Sequence, residues 1–180
     1  MTSMICAGFG GQGVLTAGLI LAKTAMDQGD NVTWIPSYGS EMRGGTANCN
    51  VKIAKDKIAS PFVRECSLLI ALNPPSVAKF MPMLVPGGLL ITNSTLVKNH
   101  PFRSDIRVAE VEASAIADSL GNTKGVNIIM LGALAATGEL YPADVIREGI
   151  DRFFTEKNKK TPKNMDAFEE GLKQCRFAKN

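Results

Sequence analysis

Two glycine-rich segments hold the residues best suited to chemistry. Gly8-Phe9-Gly10-Gly11-Gln12-Gly13 matches G-x-G-x-x-G and lies between the apolar run Ile5-Cys6-Ala7 and a helix-like pattern that starts at Val14. Glycines there let the backbone turn tightly and approach a ligand, and the free N–H groups of a following helix favour an anion. A dinucleotide site also needs an acid near the end of the second strand, to hold the ribose. That strand ends Trp34-Ile35-Pro36-Ser37, with Asp27 and Asp30 ahead of it and Glu41 well beyond. Binding of NAD is therefore disfavoured. Another phosphate-bearing ligand, or glycines that serve a tight turn and close packing at a protein interface, stay open. The second segment, Ser37-Tyr38-Gly39-Ser40-Glu41-Met42-Arg43-Gly44-Gly45, is dense in hydrogen-bonding groups. Glu41 and Arg43 either form a solvated ion pair or leave the Arg43 fork to hold an anion.

The rest of the catalytic toolkit is sparse. Cysteines stand at 6, 49, 66 and 175 with no C-x-x-C spacing, which argues against an iron–sulfur or structural zinc site. Cys6 and Cys175 read as buried thiols of a reducing compartment. The single histidine, His100, precedes Pro101 in a polar stretch and reads as a loop residue. No run approaches the ~18–20 apolar residues of a membrane span. The first residues show no basic region ahead of an apolar one, so a cytoplasmic location is the expectation. The net charge is +3, and the whole excess falls in residues 155–180, with 7 basic residues against 4 acidic. No aromatic residues interleave those lysines, so the stretch reads as a solvated linker and not as a nucleic-acid surface.

These groups need a scaffold. At 180 residues and 45 % hydrophobic, the chain is expected to form one domain over residues 1–180. Strands are expected at Ile5–Ala7, Asn31–Ile35 (stopped by Pro36), Ala47–Ile53, Leu68–Leu72, Leu89–Thr92 and Ile106–Val111. Helical patterns fall at Val14 to about Gln28, Asn73 to Leu84, Ser114–Leu120, Asn127–Thr137, and from Pro142 or Asp144 onward. Pro86-Gly87-Gly88 reads as a turn. Residues 155–164 read as a basic linker to a C-terminal helix with Met165, Phe168, Leu172 and Cys175 on one face. Continuous apolar strands alternating with helices predict an α/β fold: a mainly parallel, doubly wound, Rossmann-like sheet with helices on both faces. Both glycine segments would then follow adjacent early strands and share the carboxyl edge of the sheet.

The two segments together resemble the gamma subunits of 2-oxoacid:ferredoxin oxidoreductases. Gly8-Phe9-Gly10-Gly11-Gln12-Gly13 paired with Pro36-Ser37-Tyr38-Gly39-Ser40-Glu41-Met42-Arg43-Gly44-Gly45 is far more specific than either alone. Ile58-Ala59-Ser60-Pro61 and Asn127-Ile128-Ile129-Met130-Leu131-Gly132-Ala133 are similar to that family too, and the resemblance weakens after about residue 155. It implies a complete enzyme that decarboxylates a 2-oxoacid, passes the acyl group to coenzyme A and reduces ferredoxin. It also implies that thiamine diphosphate and iron–sulfur clusters sit on other subunits, with no cofactor bound by this chain alone. The implied partners are alpha, beta and ferredoxin-like delta subunits, with no membrane and no nucleic acid. A homodimer is expected for the isolated chain, because a surface built for partners is apolar. The compact length is more like 2-oxoglutarate or branched-chain oxoacid subunits than longer pyruvate ones, with indolepyruvate subunits a close relative. No catalytic residue carries over. Ligand or subunit contacts are expected at Gly8, Gly10, Gly11, Gln12, Gly13, Ser37, Tyr38, Gly39, Glu41, Arg43, Gly44 and Gly45. The competing reading is a stand-alone Rossmann-type nucleotide-binding oxidoreductase.

Overall fold

The apolar run near the N-terminus forms strand β1, Thr2–Phe9, in a computed structural model that describes residues 1–37 and 46–178. Helix α1, Val14–Asp27, follows the glycine loop, and strands β2, Asn31–Ser37, and β3, Thr46–Ala54, come next. β4 (Cys66–Ala71), α2 (Pro74–Phe80), β5 (Leu84–Asn93), β6 (Arg107–Val111) and α3 (Ala113–Ser119) continue the chain. Helices α4 (Val126–Thr137), α5 (Ala143–Glu156) and α6 (Pro162–Gln174) lead to the two-residue β7, Arg176–Phe177.

Among the described residues the strands form one sheet in the order β2-β3-β1-β4-β5-β6-β7. β1, β4, β5 and β6 run parallel, whereas β3 is antiparallel to both β1 and β2, and β7 is antiparallel to β6. The α/β, mainly parallel reading holds, with one correction: β1 and β2 are not neighbours, because β3 lies between them. Only eight residues separate the end of β2 from the start of β3, fewer than the dozen or more that a parallel crossover needs, so the strands pair antiparallel.

The parallel strands carry continuous buried apolar runs, Met4–Ala7, Leu68–Ala71 and Leu89–Ile91, because both faces are covered. Met4, Cys6, Leu68, Ile70, Leu89 and Ile91 face α1, α4, α5 and α6, whereas Ile5, Ala7, Leu69, Ala71 and Leu90 face α2 and irregular chain. Helix α4 is buried from Val126 to Ala135, so its near-continuous apolar sequence reflects a core position.

Several boundaries move. β2 runs through Pro36 to Ser37, which places Ser37 in a strand and not in a loop. β2 is an edge strand, where the missing proline N–H costs no ladder bond. Pro86, Gly87 and Gly88 belong to β5, whose register against β4 shifts between Cys66 and Leu68. The irregularity absorbs the residues that look like a turn. α2 stops at Phe80 and passes into a 3₁₀ turn, Met81–Met83, because Pro82 cannot continue the α-helical ladder. The basic linker shrinks to residues 157–161, since α5 reaches Glu156 and α6 begins at Pro162. Proline at the first helical position needs no N–H partner.

Candidate functional site

The glycine loop closes β1 and opens α1 at the point where the chain reverses direction across the sheet. From β1 the chain goes to one side, through β2 and β3. Beyond them it returns on the other side of β1 as β4. The crevice between the carboxyl ends of β1 and β4 is the switch point at which open α/β sheets bind ligands.

Carboxamides line this crevice. The Phe9 N–H donates to Gln12 Oε1 at 2.7 Å, and Asn73 Nδ2 donates to the same oxygen at 3.1 Å. Asn73, fully buried, caps α2: its Oδ1 accepts from the Ser76 N–H at 2.9 Å. On the other side of the loop, Asn127 Nδ2 donates to the Gly13 carbonyl at 3.2 Å. Gly13 has φ of 74°, and a Cβ there would also collide with Asn127, so only glycine fits both demands. Gly10 is different. A Cβ there meets nothing within 4 Å among the described residues, and its backbone needs no positive φ. Gly10 leaves open space above the loop that the fold itself does not require.

One strand over, buried Asn93 donates to Ser114 Oγ at 2.9 Å and accepts from the Ser114 N–H at 3.3 Å, which ties the end of β5 to the start of α3. The site therefore offers neutral donors and acceptors. His100 lies in a loop, where its Nδ1 sits 3.0 Å from the carbonyl of the adjacent Pro101. Arrangements of this kind bind and orient. Among the described residues this one holds no acid–base pair.

Ser37 ends β2 and Thr46 begins β3. Register pairs Ser37 with Asn48, Asn48 with Ala7, and Thr46 with Phe9, so both stand at the edge that carries the glycine loop. Tyr38, Gly39, Glu41, Arg43, Gly44 and Gly45 lie outside the described residues. Gly8, Gly10, Gly11, Gln12 and Gly13 are brought together. Asn73, Asn93 and Asn127 are additions that sequence reasoning did not single out as site residues. Asn73 had a local signal, as the capping residue ahead of Pro74 and Pro75. Asn93 had none, since its partner Ser114 is distant in sequence.

The cysteines do not fit a cluster. Cys6, Cys49 and Cys66 are buried in separate strands, and no group of three or more His, Cys, Asp or Glu forms a metal-binding set among the described residues. Burial pushes the Cys66 thiol up to about 12, the opposite of the thiolate that iron or zinc requires. The same donor set gives no home for the metal that would hold a thiamine diphosphate. The described residues fit neither group, and neither enters the chemistry assigned to this chain.

Fold and site define an α/β domain built to bind at a switch-point crevice, with no acid–base machinery among the described residues. The chain belongs to the pyruvate ferredoxin/flavodoxin oxidoreductase family, whose model matches residues 3–174, and it is of the gamma-subunit type. The match runs past residue 155 and through α6. The ketoisovalerate oxidoreductase subunit VorA of Methanothermobacter thermautotrophicus is 37 % identical over 94 % of this chain, and the chain spans 35 % of that protein's length. The 2-oxoglutarate synthase subunit KorC of Archaeoglobus fulgidus is 31 % identical over 94 % of this chain and 86 % of its own. The keto/oxoacid ferredoxin oxidoreductase gamma subunit of Geobacter sulfurreducens superposes with a TM-score of 0.80 at 26 % identity, covering 96 % of this chain and 97 % of its own.

Proposed function

We propose that this chain is the gamma subunit of a multisubunit 2-oxoacid:ferredoxin oxidoreductase that works with alpha, beta and ferredoxin-like delta subunits in the cytoplasm. The overall reaction breaks the bond between the two carbonyl carbons of the 2-oxoacid and releases carbon dioxide. It joins the acyl carbon to the sulfur of coenzyme A, releases the thiol proton and sends two electrons to ferredoxin. This chain's part is to bind and orient at the β1–β4 crevice, with Ser37 and Thr46 at the same edge of the sheet; thiamine diphosphate and iron–sulfur clusters belong to the partners. The observation that carries the reading is the family match over residues 3–174 together with near end-to-end likeness to a gamma subunit. The names of the relatives favour a branched-chain 2-oxoacid or 2-oxoglutarate as substrate.

Co-expression with the thiamine-binding and ferredoxin-like chains tests this. The expected complex contains all the chains and reduces a viologen dye when given a 2-oxoacid, thiamine diphosphate and coenzyme A. The pure chain is expected to do neither. Full activity of the partner chains with this chain omitted would overturn the assignment.

A further inference from the structure

Backbone groups fix the polarity of the carboxamide chain at both ends. The Ser76 N–H can only donate, so the Asn73 atom that meets it is oxygen, and Asn73 turns its NH₂ toward Gln12. The Phe9 N–H also can only donate, so the Gln12 atom that meets it is oxygen. Both donors converge on Gln12 Oε1. The NH₂ of Gln12 is directed away from the network and has no hydrogen-bond partner among the described residues. It is not among the polar atoms sealed from solvent.

Around it the loop offers further backbone donors. The N–H groups of Gly10, Gly11 and Gly13 make no hydrogen bond within the chain among the described residues. No acidic side chain lies in the first turn of α1. We infer that Gln12 is a ligand-facing hydrogen-bond donor at the β1–β4 crevice, held in that orientation by Asn73 as a positioning residue, and that it takes an anionic oxygen of a phosphate or carboxylate. The inference rests on the gamma-subunit reading and assigns roles within that site.

Gln12→Glu tests the first half. The glutamate keeps an oxygen for both inward donors and replaces the outward NH₂ with a second oxygen, which repels an anion. A hydrogen bond to a charged group is strong enough that the assembled enzyme should show a KM raised about tenfold or more, with a smaller change in kcat. A rise for coenzyme A assigns the oxygen to phosphate, and a rise for the 2-oxoacid assigns it to carboxylate. Asn73→Asp tests the second half. Aspartate still caps α2 but cannot donate to Gln12, so the same KM should rise and the Gln12 side-chain amide resonance of the ¹⁵N-labelled free chain should move. An assembled Gln12→Glu enzyme with both KM values unchanged would overturn the proposal, as would a Gln12 resonance unmoved by Asn73→Asp. Should Gln12→Glu fail to assemble, titration of the wild-type free chain with coenzyme A, inorganic pyrophosphate and 2-oxoglutarate decides. A shifted Gln12 amide supports the assignment, and an amide that none of them shifts refutes it. Failure of the wild-type chain to join an active complex would instead count against the gamma-subunit reading, and the titration would still report on Gln12.

Discussion

Gly10 separates a loop made for packing from a loop made for approach. Gly13 is glycine because its backbone and its contact with Asn127 leave no alternative, whereas a Cβ at Gly10 would meet none of the described residues within 4 Å. Gly10→Ala should therefore leave the thermal midpoint of the isolated chain close to wild type, since exposed substitutions without a clash change stability by roughly ±0.5 kcal/mol. In the assembled enzyme the same methyl group should hinder whatever approaches the loop, and the steady-state rate or complex yield should fall. Unchanged stability with unchanged assembly and turnover would show that nothing comes close there.

At the scale of elements, the site depends on a helix crossing far from it. A Cβ on Gly132 of α4 would overlap the Phe168 carbonyl oxygen of α6, and a Cβ on Gly171 of α6 would overlap the Ile129 carbonyl oxygen of α4. The two backbones touch, which is how a helix buried on nearly all sides meets its neighbour. α4 also carries Asn127, the residue that stitches the glycine loop to the core. Alanine is a better helix former than glycine by about 1 kcal/mol, so on an exposed face Gly171→Ala would stabilise the chain. Here overpacking should reverse the sign and cost about 1–3 kcal/mol, read as a lower urea midpoint. A midpoint at or above wild type would mean that the two helices separate easily.

Across the whole molecule, one carboxylate ties distant segments together. Asp30, in the turn between α1 and β2, accepts from the Tyr141 hydroxyl at 2.6 Å and pairs with Lys55 at 2.9 Å, and its side chain is only 5 % exposed. The hydrogen bond from Tyr141, and then that from Lys55, holds its carboxyl below the ordinary carboxylate range. A depressed folded pKa favours the native state wherever the unfolded carboxyl is ionised, above about pH 4. That contribution disappears as pH falls through the lower, folded value. Asp30→Asn should lower stability at neutral pH and flatten the loss below about pH 4, as measured by urea unfolding across pH. A variant whose acid limb parallels wild type would place the acid sensitivity elsewhere. No helix among the described residues is long and apolar enough to cross a membrane.

The sequence alone determined the elements and their class, because burial imposes period on residue type. The unbroken apolar run Leu68–Leu72 belongs to a strand covered on both faces, the alternation in Ala47–Ile53 is visible in β3, and the all-round apolar α4 is a core helix. The switch-point position of the Gly8–Gly13 loop was legible too, since a strand, a glycine loop and a helix are contiguous in the chain. The order of the strands was decided only in three dimensions. The antiparallel insertion of β3 depends on pairing between chain segments whose local patterns look the same in either direction. β7 shows no periodicity in two residues and exists only because β6 offers an edge. The carboxamide network was equally out of reach. Asn73 meets Gln12 across 61 positions, and Asn127 meets Gly13 across 114. A side chain that pairs at such separations leaves no periodic trace, and folding alone brings its partner within hydrogen-bond reach.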